Sequence, residues 1–80
     1  MDTTTAAAII LASFRRMPSP TPACIFHTID RGVRSAAFRR LRKLGLIEVA
    51  YVGGFGAKNW RPTAAALALR DGEELSAVSK

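Results

Sequence analysis

The hydrophobic period changes at Gly45, and this change constrains the fold of the chain most. Before Gly45, the segment 34–44 has apolar residues at the spacing of one helix face. That buried stripe consists of Ala37, Phe38, Leu41 and Leu44. After Gly45, the segment 46–52 is rich in β-branched and aromatic residues, which predicts a strand. Glycine accepts the left-handed conformation that ends a helix, so Gly45 is the predicted stop.

The opposite face of the same predicted helix is basic. It carries Arg39, Arg40 and Lys43, with Ser35 and Ala36 near its start. Ser35 is the predicted N-cap of this helix. A helix that buries one face and exposes cations on the other can enter a DNA major groove. It can equally be a solvated face of an ordinary surface helix, since runs of charge are common.

Two helices are predicted before this one. Thr3, Thr4 and Thr5 offer N-caps for a helix over residues 6–16, which Met17 and the prolines after it would end. A second helix is predicted from Pro22 to about Asp30, with Thr21 as its cap and with Ile25, Phe26 and Ile29 facing inward. Gly32 and Val33 are then expected to form the turn before the basic helix.

A hairpin and a last helix are predicted after the strand. Residues 53–56 form a glycine-rich turn, and residues 57–61 return as the partner strand until Pro62 ends it. Thr63 is the expected cap of a helix over residues 64–70. The tail 73–80 reads as frayed, although residues 74–78 could add a helical turn. The prediction is therefore one α+β, mostly helical domain over residues 1–80, with an ordered core at about 5–72.

Charge is concentrated in the middle of the chain. The net charge is +6, and from Arg31 to Arg61 there are eight basic residues against a single acid, Glu48. Such a segment suits a polyanion such as nucleic acid as partner. The lone Cys24 allows no disulfide within the chain and reads as a small buried hydrophobe, consistent with a reducing compartment.

The order of these motifs resembles a winged helix-turn-helix DNA-binding domain of the bacterial and phage repressor type, as in the MarR, PadR and ArsR families. Residues 32–35 with Phe38 and Leu41 resemble the turn and recognition helix. Residues 41–48 resemble the junction between recognition helix and wing, and residues 60–66 resemble the end of the wing. Thr28 and Arg31 depart from the family pattern, which predicts a shifted helix or a longer turn before the recognition helix.

The resemblance implies a small transcriptional regulator, most simply a repressor, that binds double-stranded DNA. Its recognition helix would enter the major groove, and its wing would contact the backbone or minor groove. Arg39 and Arg40 are the expected base readers, because arginine pairs well with guanine. The full predicted interface comprises Arg34, Ser35, Ala36, Arg39, Arg40, Arg42, Lys43, Lys58, Asn59 and Arg61, with a wing tip of Gly53, Gly54, Phe55 and Gly56.

Other functions receive less support from the sequence. No carboxylate pair, nucleophile set or metal-ligand cluster is present, so neither an enzyme nor a cofactor is expected. Surplus apolar surface on the first and last helices predicts a homodimer, and a cytoplasmic, nucleoid-associated location without membrane contact is expected. The main alternative is a winged-helix protein-interaction module, such as a small phage-encoded inhibitor or an assembly subunit. Double-stranded RNA binding is a weaker option.

Overall fold

A computed structural model describes all residues 1–80 of the chain and contains four α-helices and one antiparallel sheet. The helices are α1 (Thr3–Arg16), α2 (Arg31–Lys43), α3 (Ala64–Leu67) and α4 (Glu74–Val78). The strands are β1 (Thr21–Pro22), β2 (Ile47–Val52) and β3 (Lys58–Pro62), in the order β1-β3-β2. The α+β, mostly helical prediction is confirmed, but the sheet has three strands instead of two. None of the helices has the length and apolar character needed to cross a membrane.

Helix α1 forms as predicted but begins three residues earlier. Asp2, and none of the threonines, is its N-cap: the Asp2 carboxylate accepts a hydrogen bond of 2.7 Å from the Thr5 N–H. This backbone bond is the main reason that the pKa of Asp2 is lowered. The buried side of α1 forms much of the core through Ala6, Ala7, Ile10, Leu11 and Phe14.

The predicted second helix, Pro22 to Asp30, is wrong. Residues 21–22 are drawn into the sheet as β1, where Thr21 pairs with Trp60. Only a single 3-10 turn, Ala23–Phe26, follows. Because a helix nucleus is costly, a segment of nine residues whose first residue is held in a sheet gains little by forming a helix. Phe26 and Ile29 are buried as expected.

The 3-10 turn also changes which side chains of this segment face inward. Ile25 was expected to be buried but is 46% exposed. Cys24 was expected to be a buried hydrophobe, and it too is exposed. Neither residue contributes to the core in this arrangement.

Helix α2 begins at Arg31, so the predicted start at Ser35 is wrong. The Asp30 carboxylate caps the helix by accepting hydrogen bonds from the Gly32 N–H at 3.1 Å and the Val33 N–H at 3.4 Å. Gly32 and Val33 therefore lie in the first helical turn and do not form a turn before it. Ser35 is an exposed residue inside the helix.

The predicted stop of this helix at Gly45 is confirmed. Gly45 has φ +73°, and its N–H donates to the Arg42 carbonyl, while the Leu46 N–H donates to the Leu41 carbonyl at 2.9 Å. These two bonds form a Schellman cap. The Thr63 hydroxyl also donates to the Gly45 carbonyl at 2.6 Å, which ties the end of α2 to the end of β3.

The hairpin forms close to its predicted limits. Strands β2 and β3 pair antiparallel with a β-bulge between Val49 and Tyr51. The loop is a 3-10 turn, Gly54–Gly56, closed by a 2.7 Å bond from the Gly53 N–H to the Ala57 carbonyl. The strand was predicted to stop before Pro62, but Pro62 is the last residue of β3 and is buried.

The C-terminal part differs from the prediction in how its helical residues are divided. Thr63 caps α3 as expected, through a 3.3 Å bond from the Ala66 N–H, but α3 ends at Leu67 instead of near residue 70. Of the two possibilities for the tail, the helical turn is the one that forms. It is α4, whose Ala77 and Val78 are buried in the core.

A chain of aromatic rings runs through the core and connects α1 to the sheet. Phe14, Phe26 and Phe38 pack with ring centroids 5.8 to 6.1 Å apart. Phe38 then meets Trp60 of β3 edge to face at 5.6 Å. Such tilted contacts are the favoured aromatic geometry. They fix α2 against β3, and that junction forms one wall of the site described next.

Candidate nucleic-acid interface

Successive turns of α2 present one mostly polar face toward β3. Residues 34, 35, 38, 39 and 42 fall on this face, since positions three and four apart lie above one another on a helix. Phe38 is buried beneath it, while Ser35, Arg39 and Arg42 are exposed. The face therefore has an aromatic base and a cationic surface.

Between this face and β3 lies a partly open pocket of about 280 Å³. We call it the cationic pocket. Phe38 and Trp60 contribute its aromatic lining, and four cations from two elements surround it. Its lining residues are Ala23, Arg34, Ser35, Phe38, Arg39, Arg42, Lys58 and Trp60.

Three of the four cations are held in place by other parts of the molecule. Arg34 donates a hydrogen bond of 3.3 Å from Nη1 to the Phe26 carbonyl. Arg42 places its guanidinium carbon 5.6 Å from the Trp60 ring centroid, and Lys58 places Nζ 6.0 Å from it. Both distances are in the range of cation–π attraction. Arg39 forms no such contact and extends into solvent.

The pocket cations have no carboxylate partners. Among the twelve Lys and Arg residues of the chain, only Arg15 and Arg61 form ion pairs. The positive charges around the pocket are therefore not neutralised within the protein. An arrangement of this kind attracts anions, and it repels other cations.

The structure separates several of the predicted interface residues from this pocket. Arg40 points the other way and donates a 2.5 Å hydrogen bond to the Thr4 hydroxyl of α1. Arg61 pairs across the hairpin with Glu48, with Nη2 2.7 Å from Oε2. The free charge of the interface is thus carried mainly by α2 and Lys58.

The remaining predicted residues lie near the rim or outside it. Lys43 is exposed on α2 but does not line the pocket, and Ala36 is half-buried. Asn59 is half-buried, and its amide donates weakly to the Ala57 carbonyl at 3.4 Å.

Trp60 is not among the interface residues predicted from the sequence. The ring is 8% exposed and packs in the core, and the same ring holds Arg42 and Lys58. A Lys two residues before a strand Trp, on the same side of the strand, is the signal that could have shown this. Tyr51, on the neighbouring strand β2, is 54% exposed.

The hairpin tip is unusual in its backbone. Phe55 has φ +61° and ψ +19°, a left-handed conformation that bulky residues rarely adopt, and its side chain is fully exposed. No packing contact compensates this conformation. Strain of this kind at an exposed aromatic residue is a feature that occurs at binding sites.

Fold and site together define a small α+β protein with an unneutralised cationic surface where a helix meets a sheet. Comparison of the chain with protein-family models, with curated proteins and with solved structures finds no match.

Proposed function

We propose that the protein binds double-stranded DNA and acts as a small transcriptional regulator, with α2 as its recognition helix and the β2–β3 hairpin as its wing. The observation that carries this proposal is the set of exposed cations on α2 and β3 that lack carboxylate partners. Neutralising DNA phosphates with such cations releases counterions, which is the main source of affinity for a duplex.

The geometry of α2 supports its role as the element that enters the groove. Its 13 residues give a length of about 20 Å, and Ser35, Arg39 and Lys43 on one side are exposed. Arg39 lies midway along this side and is unpaired, so it is the proposed reader of a guanine. Arg42, Lys43 and Lys58 are the proposed phosphate contacts, which position the protein without reading sequence.

The proposal rests on α2 and the hairpin and does not require a preceding recognition-motif helix. The segment before α2 is a single 3-10 turn, and the hairpin follows α2 directly after the Gly45 stop. In this arrangement the exposed tip at Phe55 is the proposed wing contact. Apolar side chains can insert between base steps in the minor groove, and a fully exposed aromatic ring suits that role.

The test is fluorescence anisotropy with a labelled pool of random duplexes, followed by sequencing of the bound fraction. We expect binding at low salt, and an enriched near-palindromic sequence if two copies bind together. Arg39→Gln is expected to weaken binding and relax the preference at one base pair. Arg16→Gln, which removes the same charge from an exposed site on α1, is the matched control. Absence of binding at low salt would contradict the proposal.

A second candidate is a protein-interaction module, which the apolar hairpin tip favours. Tyr51 and Val52 are 54% and 59% exposed, next to the fully exposed Phe55. In this case the cationic surface would contact an acidic protein. DNA affinity that is unchanged by Arg39→Gln, together with a stoichiometric protein complex that Phe55→Ser abolishes, would favour this candidate over DNA binding.

A further inference from the structure

The cationic pocket has features of a small-molecule site that DNA binding alone does not require. A surface that holds a duplex needs only exposed cations along its length. Here, four cations from two separate elements converge on one concave site with an aromatic base. Specific ligand sites are typically concave, with an apolar lining and a few polar groups that converge.

The charge of the pocket indicates the class of ligand. Arg34, Arg39, Arg42 and Lys58 give it four positive charges and no negative one. Guanidinium groups bind phosphate oxygens in pairs through parallel N–H bonds, and Lys adds a point charge. Four like charges at one site are best balanced by a ligand with several negative charges, which two or more linked phosphoryl groups supply.

The size and rigidity of the pocket suit such a group. Its volume of about 280 Å³ equals that of roughly nine water molecules. Arg34 is anchored on the Phe26 carbonyl, while Arg42 and Lys58 are held on Trp60. Because these side chains are already ordered, less conformational entropy is lost when an anion binds.

A second hollow adjoins the pocket and extends the site. It is open, measures about 370 Å³, and shares Ala23, Lys58 and Trp60 with the cationic pocket. Its other walls are mostly small or apolar, namely Pro22, Cys24, Gly56 and Ala57. It offers space for an uncharged organic group attached to the phosphates.

We propose that the cationic pocket binds the oligophosphate group of a small phosphorylated molecule, and that this ligand competes with nucleic acid for Arg39 and Arg42. The anion binding itself does not depend on the proposed DNA binding. A filled pocket would remove the charges that DNA needs, so the ligand would act as an antagonist of duplex binding.

The first experiment titrates the full chain with inorganic pyrophosphate at an ionic strength held constant with sodium chloride. Trp60 is the only tryptophan, and its ring contacts two pocket cations, so its fluorescence reports occupancy. We expect a saturable change, one-to-one stoichiometry by calorimetry, and weaker binding of orthophosphate. Absence of a saturable signal in both methods would overturn the proposal.

Variants locate the site. Arg39→Gln forms the sharpest test, because Arg39 has no contact whose loss could unfold the protein. It is expected to weaken pyrophosphate binding at least about tenfold, as is Lys58→Gln, since each removes a charge-assisted hydrogen bond. Arg16→Gln is expected to leave binding within about twofold. An equal loss in Arg16→Gln and Arg39→Gln would show attraction by net charge alone and would refute the assignment.

Lys43→Gln separates this proposal from the DNA proposal, since Lys43 lies on the exposed face of α2 but outside the pocket. It should weaken DNA binding and leave pyrophosphate binding unchanged. In competition, pyrophosphate should displace a labelled duplex more strongly than sodium sulfate of equal ionic strength. If DNA does not bind at all but pyrophosphate does, the pocket assignment stands and the regulatory function fails.

Discussion

Arg15 connects α1 to the C-terminal part of the chain, and its removal should cost much of the stability there. Its guanidinium contacts Glu74 Oε1 at 2.9 Å, the Arg70 carbonyl at 3.2 Å and the Leu69 carbonyl. The Arg15 side chain is 12% exposed and that of Glu74 is 17% exposed, so both charges are largely shielded from water. Arg15→Met keeps the aliphatic stem but leaves these acceptors without their donor.

The magnitude follows from this geometry. Breaking a buried ion pair by removing one partner costs about 3–5 kcal/mol, whereas an exposed pair is worth about 0–1 kcal/mol. The two carbonyls and Glu74 lie near the surface and can regain water, so we expect a loss of about 2–3 kcal/mol. For a chain of this size that corresponds to a fall in Tm of about 8–24 °C.

The assay is urea denaturation followed by Trp60 fluorescence, combined with amide hydrogen exchange over residues 74–78. Arg16→Met is the matched control, because the neighbouring Arg16 is exposed, and it should change stability by less than about 0.5 kcal/mol. A double-mutant cycle with Glu74→Gln should give a coupling energy of about 1 kcal/mol or more. A loss below about 0.5 kcal/mol for Arg15→Met, or strict additivity in the cycle, would refute the reasoning.

Three further predictions concern stability. The pKa of Glu74 is lowered below its ordinary value of 4.5, first by a backbone N–H bond at the start of α4 and also by Arg15. The stability that ionised Glu74 contributes is therefore complete above pH 4.5 and lost as the pH falls through the lower folded pKa. Wild type and Glu74→Gln should converge in unfolding free energy over that range, and a constant difference would contradict the assignment. Phe55→Gly should stabilise the protein by about 0.5–1 kcal/mol in thermal unfolding, because glycine adopts the left-handed backbone readily. Removing the ring costs no packing contact, since it is fully exposed. Destabilisation would show that the tip is not strained. Gly45→Ala should lower the unfolding free energy by about 1 kcal/mol in urea denaturation, because Gly45 has a φ of +73°. Gly54→Ala is the control, since Gly54 has equal space for a methyl group and no positive φ, and it should cost less than about half of that.

Much of the fold could be predicted because its signals are local. The helix stop at Gly45, the Thr63 cap and the glycine-rich hairpin each depend on residues within a few positions of one another. The start of α2 was misplaced because Asp30 and Ser35 are both good N-caps. Asp30 is the one used, and it adds a full turn to the helix despite the glycine in it.

The wrong prediction of a helix over residues 22–30 has a cause in the tertiary structure. Thr21 and Pro22 pair with β3, about 40 residues later in the chain, and no local sequence pattern predicts that pairing. A preference for helix over residues 22–30 is weak enough for the sheet to override it. Ile25 is exposed for the same reason, because a short strand and a 3-10 turn form where a helix was predicted.

The candidate site was predictable in composition but not in arrangement. The sequence shows that the basic residues are concentrated between residues 31 and 61. Only the structure shows that Arg40 binds Thr4 and Arg61 binds Glu48, while four others converge on one pocket. The acid that pairs with Arg61 is its register partner across the hairpin, so a correct strand register would have predicted that pair.

The salt dependence of DNA binding tests the central claim most directly. If α2 and Lys58 neutralise about four phosphates per protein chain, the logarithm of the association constant should fall against the logarithm of salt concentration with a slope of about −3 to −4. Arg39→Gln should weaken binding at every salt concentration, and Lys43→Gln should reduce the steepness by about 0.9. Binding that does not change with salt, or the same slope in wild type and Lys43→Gln, would contradict the account.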